Sequence, residues 1–282
     1  MNALRVAATQ FDLKALHRPE DFWDRCEVLA AQAARDNAKM IVFPEYFTLS
    51  WLIAHEGPVF EKALEGFAAH EDEFHRELKA LSNGLHMGIT AGTAPVRVGD
   101  HIVNRCHVFL PDGRLFTQDK QRMTAVELNE WSIAPGDGQT AIFDFEGARW
   151  GLAIGEDVEF PSLTAPLLDH DVDFILVPSR AEDLHSYWRV RHCSQARAVE
   201  GQCGVVMSSI VGGDKRHPEI LKHHGRAGFF TPCDQNMPQE GVLGLGELNK
   251  ENIHVAQYDL LAIHQIRAVG ATAARQENLM DL

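Results

Sequence analysis

The stretch from Gly151 to Pro161, "GLAIGEDVEFP", decides the reading of this chain. Trp150 to Ile154 is a short apolar run, the mark of a buried strand. Gly155 ends it, Glu156, Asp157 and Glu159 crowd the turn, and Phe160-Pro161 restarts the chain. Strand, tight turn and helix together lift one residue above a sheet, with backbone N–H groups aimed at a developing negative charge. Glycine at that residue, taken alone, asks only for a tight turn.

The pattern around this stretch alternates. Strand-like runs recur at Arg5–Gln10, Met40–Pro44, Met87–Gly92, His101–Leu110, Ala141–Phe145, Val172–Val177, Gly204–Ile210 and His254–Tyr258. Helical spacing is found over Pro19–Asn37, Phe60–Ser82, Leu184–Gly201 and Leu260–Arg275. Asp112-Gly113 between two strand runs predicts a hairpin turn. Alternating strands and helices with hairpins among them predict an α/β layered fold.

The chain has 282 residues, 45% of them hydrophobic, and no Pro/Gly/Ser-rich linker divides it. A single domain over residues 1–282 is the expectation. The formal net charge of −14 repels phosphate backbones and anionic lipid, so neither nucleic acid nor a membrane surface is an expected partner. The N-terminus "MNALRVAATQF" has the character of a first strand, not of a signal peptide. No apolar run approaches the ~18 residues of a membrane span. The five cysteines (26, 106, 193, 203 and 233) form no CxxC pair, which fits reduced thiols in a cytoplasm and no zinc site.

Two further segments bear chemistry. In "MIVFPEYFTLSW", Met40 to Trp51, an apolar strand ends at Pro44 and Glu45 follows at once. A carboxylate at the mouth of a buried strand is costly unless paired or working, the alternatives being a helix cap or a surface position. In "TQDKQRMTAVELNEWSIAPGDG", Thr117 to Gly138, Lys120 follows a strand and Glu127 lies seven residues on. Lys120 can equally be a solvated charge, and Glu127 and Glu130 one exposed helical face.

Together the three segments resemble the carbon–nitrogen hydrolase (nitrilase) superfamily. "VFPEYF" resembles its first glutamate motif, and "DKQRMTAVELNEW" its lysine motif, with Arg122 where histidine is common. "GLAIGEDVEFP" is similar to its cysteine motif, with Gly155 where the nucleophilic cysteine belongs. "ILVPS" (Ile175 to Ser179) and "YWRVRHCSQARAVEGQ" (Tyr187 to Gln202) resemble the strand and helix that follow. The resemblance implies a four-layer α-β-β-α sandwich that pairs into a homodimer or larger homo-oligomer. It implies a small amide or nitrile-type substrate and no cofactor. It assigns Glu45 as general base, Lys120 as the cation that holds the tetrahedral intermediate, and Glu127 as a positioning carboxylate. The backbone N–H of Glu156 would line the oxyanion site. Ser179 and Trp188 are the candidate substrate contacts. Trp51, Tyr187 and Trp188 are candidates for pocket walls or for core packing. His217, His223 and His224 share one loop segment, and no metal site is expected there.

Glycine has no side chain, so thioester chemistry at residue 155 is impossible. Neither Cys193 nor Cys203 is brought to that place by its spacing. Three readings stand: an altered enzyme in which Glu45 works on a water lodged where the thiol is missing, a binding protein without catalysis, and an enzyme inactivated by loss of its cysteine. Buried charges cost several kcal/mol each before pairing offsets them. A chain without chemistry can shed them, so the presence of all three favours the enzyme-derived readings, although such a triad can also stabilise itself as an ion-pair network.

Overall fold

The structure, a computed structural model, describes residues 3–57 and 59–270. Its elements run β1 (Ala3–Asp12), α1 (Glu20–Arg35), β2 (Met40–Phe43), α2 (Leu49–Glu56), α3 (Phe60–Glu65), α4 (Phe67–Leu85), β3 (Gly88–Val98), β4 (His101–Phe109), β5 (Leu115–Asp119) and α5 (Ala125–Asn129). Then follow β6 (Ile133–Ala134), β7 (Ile142–Phe145), β8 (Ala148–Leu152), a 3-10 turn over Gly155–Glu159, α6 (Pro161–Asp169), β9 (Phe174–Ser179), α7 (Leu184–Glu200) and β10 (Gly204–Val211). A second 3-10 turn (Pro218–Ile220), β11 (Gly228–Phe230), β12 (Val242–Leu245), β13 (Asn252–Asp259) and α8 (Leu260–Val269) complete the order.

The 13 strands form one hydrogen-bonded sheet system whose main path is β5-β4-β3-β2-β1-β10-β9-β8-β7. Pairing is parallel from β3 through β2 to β1, and again from β10 through β9 to β8. The β4–β5 connection is the hairpin expected at Asp112-Gly113, where Gly113 adopts φ +89. The strands alternate their faces. On β1, Val6 and Ala8 join one buried cluster and Ala7 and Phe11 another. On β9, Phe174 and Leu176 point one way and Ile175 and Val177 the other. This period of two divides the core into three apolar layers.

One layer packs β1 to β4 against α1 to α4, through Phe22, Trp51, Phe67, Phe74 and Leu78. The middle layer is sheet on sheet, with Met40, Val42, Val108, Trp150, Phe174 and Val206 meeting across it. The third packs β9 and β10 against the segment from Val158 to Leu167 and against α7, through Tyr187, Val190 and Ala198. Helices, sheet, sheet, helices is the four-layer α-β-β-α sandwich, and each sheet face is apolar because each is covered.

Several elements differ from the sequence pattern. The helix expected over Phe60–Ser82 is interrupted at Gly66, where a Cβ would lie 2.6 Å from Glu56 Cγ. Close packing of the α2 end leaves room there for glycine alone. The helices α2 and α6 were not legible, since both lie beside motifs whose apolar character reads as strand or turn. Of the helix expected over Leu260–Arg275, residues 271–275 lie outside the described residues.

Candidate active site

The charged side chains of interest follow the carboxyl ends of strands. Glu45 stands two residues after β2, Lys120 one after β5, Gly155 three after β8 and Arg180 one after β9. Side chains leaving parallel strands at their carboxyl ends share one crevice. Pro44 stops β2 and Tyr46 takes a left-handed φ of +57, which sends Glu45 inward. That turn is held from the neighbouring strand. Thr93 Oγ1 accepts from Tyr46 N at 2.8 Å, and Gly92 presses so closely that a Cβ would lie 2.0 Å from Pro44 O.

Lys120 lies at the centre and is 1% exposed. Its backbone is pinned on both sides: Lys120 N donates to Asn104 O at 2.9 Å, and Gly136 N to Lys120 O at 2.8 Å. Its ammonium donates to Glu45 Oε1 at 2.7 Å, Glu127 Oε2 at 2.8 Å and Glu156 Oε2 at 2.7 Å. The structure thus brings Glu45, Lys120, Glu127 and Glu156 together from four separate segments. An ammonium has three N–H donors, and all three are engaged. The three carboxylates lie close enough to hold a metal ion. Lys120 supplies the cation there instead.

Glu127 is saturated. Its Oε1 accepts from Tyr46 Oη at 2.9 Å and Asn104 Nδ2 at 3.3 Å, and its Oε2 accepts from Thr124 N at 2.8 Å besides Lys120. Thr124 Oγ1 in turn accepts from Glu127 N at 3.1 Å, a capping box that starts α5 and fixes the carboxylate. Glu45 Oε1 accepts from Lys120 and from Asn104 Nδ2 at 2.9 Å, while Oε2 accepts from Arg180 N at 3.0 Å. Asp157, beside them, accepts from Gln121 N and Arg122 N and so ties the lysine loop to the Gly155 turn.

The electrostatics follow from one ammonium facing three buried carboxyl groups. Burial pushes Glu45 up, Lys120 pulls it back, and Glu156 and Glu127 push it up again, to about 8. Burial also works against Glu127, but the Lys120 charge and the hydrogen bonds from Lys120, Thr124 and Tyr46 hold it below the ordinary range. Burial disfavours the Lys120 charge, yet the three glutamates hold it well above the ordinary lysine value. At neutral pH the shared proton therefore resides on Glu45. Oε1 already faces two donors, so that proton belongs on Oε2. Burial raises Asp157 to about 6 against its backbone hydrogen bonds.

Gly155 is buried with φ +51, in the left-handed region that favours glycine. A Cβ there would lie 2.5 Å from Glu45 Oε2 and 3.1 Å from its Cδ. The expectation of a water lodged beside Gly155 meets this geometry: the carboxyl group itself fills the Cβ place. Glu156 also differs from its expected part. Its side chain, not only its backbone, enters the site. It stands on the wall of a cavity of about 490 Å³ that is lined by Arg122, Glu159, Phe160, Arg180, Glu182 and Arg189 among others. Arg180 pairs with Glu182 at 2.7 Å, donates to His223 Nε2 at 2.9 Å and lies 4.4 Å over the Trp131 ring. Arg189 pairs with Glu159 at 3.2 Å.

Ser179 and Trp188 lie apart from the cage. Ser179 Oγ donates to Ser208 O at 2.6 Å within the β9–β10 ladder. Trp188 is 37% exposed on α7 and stacks on His192 with ring centres 5.4 Å apart. Trp51 belongs to the helix-side core, packed on Phe22 and Phe74. Tyr187 Oη accepts from Arg226 Nε at 3.0 Å. Cys203 opens β10 with its sulfur 3.8 Å from Arg197 O, and Cys193 lies on α7, where burial pushes its thiol up. Sequence reasoning missed Tyr46, Asn104, Asp157 and Arg180. The Thr124-x-x-Glu127 pair was a readable capping signal. An asparagine inside a strand was a weaker one.

Comparison with known proteins agrees with this frame. The family model for carbon–nitrogen hydrolases matches residues 5–233. A probable hydrolase of Bacillus subtilis, YhcX, is 27% identical over 279 residues, covering 99% of this chain and 54% of that protein. This chain therefore spans about half the length of that relative. A nitrilase of Pyrococcus abyssi is 24% identical, covering 94% of this chain and 93% of that one. Among solved structures, a variant of the Nesterenkonia AN1 amidase superposes with a TM-score of 0.74 at 18% identity, covering 94% of this chain and 95% of that one. A superfamily member of Xanthomonas campestris with an arsenic adduct in its active site reaches 0.76 at 21%, covering 95% of each. With the sandwich, the strand-end cage and a family match over most of its length, the chain belongs to the carbon–nitrogen hydrolase family.

Proposed function

We propose that this protein acts on the C–N bond of a small amide or nitrile-type substrate without a thiol. In this reading Gly155 takes the nucleophile position, and water is the attacking group. The observation that carries it is the convergence of Glu45, Glu127 and Glu156 on Lys120 at 2.7–2.8 Å, with Glu45 Oε2 turned toward Gly155. The related amidase carries an acetamide moiety on its active-site cysteine. Here the corresponding chemistry has no sulfur to use.

The steps follow from the geometry. A water oxygen attacks the carbonyl or nitrile carbon, and its proton passes to ionised Glu45 Oε2. The charge that moves onto the substrate oxygen or nitrogen is held by Lys120 and by backbone N–H groups of the Gly155 turn. Glu45 then returns its proton to the departing nitrogen. Glu127, held by Tyr46, Asn104 and Thr124, keeps Lys120 in place. The oxyanion reaches Nζ by displacing Glu156, whose side chain is 11% exposed and stands on the cavity wall.

A second reading has its own observation. All three Lys120 donors are already satisfied, and the Cβ place at Gly155 is filled by Glu45. A protein that binds a small ligand or a partner without turnover fits that closed network. One experiment separates the two. The purified chain is given a panel of small amides, nitriles and carbamoyl amines, with ammonia release and melting temperature followed in parallel, before and after iodoacetamide. Turnover unaffected by the thiol reagent and lost in Glu45→Gln supports water attack. A rise in melting temperature without product supports binding alone. Turnover that iodoacetamide abolishes overturns the non-thiol mechanism.

A further inference from the structure

Outside the lysine cage, α4 and β4 carry a second group of metal-binding side chain types. A carboxylate oxygen of Glu71 and one ring nitrogen each of His75 and His107 lie within 4.8 Å of one another. Glu71 and His75 are one helical turn apart on α4, so they share a face. His107 projects from β4 and is 1% exposed. It sits in an aromatic nest, with Phe74 at 5.3 Å, Phe67 at 6.0 Å and Phe109 at 6.2 Å between ring centres.

Two orphaned atoms mark the place. His107 Nδ1 and His75 Nε2 are buried and have no hydrogen-bond partner. A buried ring nitrogen without a partner is costly, and proteins rarely leave one. The two rings meet at 65° with centres 5.4 Å apart, an angle at which in-plane lone pairs can converge. From these observations we propose that Glu71, His75 and His107 form a site for one divalent transition-metal ion of the zinc class, pinning α4 to β4. Two imidazoles and one carboxylate are a borderline-soft ligand set that suits zinc or cobalt and leaves a position open for water.

Burial keeps both rings in the state that metal binding requires. It pushes His75 below its ordinary value and His107 down to about 3. A neutral imidazole is the ligating form. A zinc ion sits about 2.0–2.1 Å from each nitrogen, so the three ligand atoms must draw in. His75 and Glu71 are only partly buried on the helix surface and can move toward the fixed His107.

The neighbouring triad His55, His70 and Glu73 is a weaker candidate. Its two imidazoles stack at 3.9 Å and 26°, so their lone pairs run side by side. His70 Nε2 is already 3.0 Å from Glu56 Oε1, and Glu73 accepts from Trp23 Nε1 at 2.7 Å.

The test uses the full chain, stripped with chelator and titrated with Co²⁺ and Zn²⁺. The expected result is one ion per chain, a visible Co²⁺ d–d band and a raised melting temperature. His75→Gln and His107→Phe should each weaken binding by about tenfold or more. His70→Gln should leave it unchanged. His75→Gln, at the partly exposed position, keeps the test sound if the His107→Phe core does not fold. No band at stoichiometric cobalt, or a band that survives His75→Gln, overturns the proposal. A band lost in His70→Gln and kept in His75→Gln moves the ion to the neighbouring triad and overturns it equally.

Discussion

The loop that carries Lys120 and the turn that carries Gly155 face each other across the same crevice, and they are built in opposite ways. At Lys120 every donor has an acceptor: three carboxylates at 2.7–2.8 Å, in a side chain 1% exposed. At Gly155 there is no side chain, the backbone is left-handed, and the space where a Cβ would go belongs to Glu45. The electrostatic half of the site is complete while the nucleophilic half is absent. Such a difference means that the charges are held for one another as well as for a substrate. A buried ammonium and its carboxylates stay because removing any one strands the rest.

The largest effect should come from breaking the satisfied side. Lys120→Met leaves three buried carboxyl groups without a cation, and loss of one partner from a buried pair costs about 3–5 kcal/mol. Urea denaturation should show a loss of that size, together with loss of any turnover. Unchanged stability would mean that the cage is not a stabilising network.

Next comes Glu45, the group shared by the two regions. Under the water-attack reading, Glu45→Gln lowers turnover about 10²–10⁴-fold. Its pH signature has two opposite limbs. The rate should climb as pH rises through about 8, because Glu45 must be ionised to accept a proton. Stability should move the other way. The folded state holds a proton that the unfolded chain releases near 4.5, so the stability linked to that proton is present below 4.5 and lost as pH rises through about 8. Melting temperature should fall across that window, and Glu45→Gln should flatten the fall. A flat wild-type profile would place the proton elsewhere.

Smaller again is the attempt to refill the nucleophile place. Gly155→Cys puts a side chain at φ +51 and 2.5 Å from Glu45 Oε2, so a cost of about 1–3 kcal/mol is expected. An acyl adduct on the new sulfur, seen by mass spectrometry with a small amide, would show that the crevice still supports thiol chemistry. A variant as stable as the parent would show that Glu45 yields the space freely. The smallest effect belongs to Trp188→Ala on the outer face of α7. Stability should change by about 0.5 kcal/mol or less, with turnover within twofold. A larger drop in turnover would bring Trp188 into substrate binding and redraw the crevice.

Much of the frame was readable in the chain itself. Period-two alternation in "MIVF" and "FILVPS" marked strands covered on both faces, and Asp112-Gly113 marked its hairpin. Both signals act between residues close in sequence, where the chain's own geometry decides. The helix break at Gly66 was not readable, because its cause is the approach of Glu56 from another element. Around the site the same division holds. Three motifs pointed to Glu45, Lys120 and Glu127, and the Thr124–Glu127 cap was written in the local spacing. Asn104, which bridges Glu45 and Glu127, carried no local mark.

What the sequence determined alone is the alternation of strands and helices, the residue types placed at strand ends and the absence of a thiol at residue 155. Local backbone preference and side-chain periodicity are sufficient for those. Tertiary structure decided that Lys120 meets Glu45 across 75 residues of chain, that Glu156 turns its side chain onto the same ammonium and that Glu45 fills the space beside Gly155. The reason is that a buried charge takes its partners from whatever the packed sheets bring within about 3 Å, and that proximity exists only once the layers have closed.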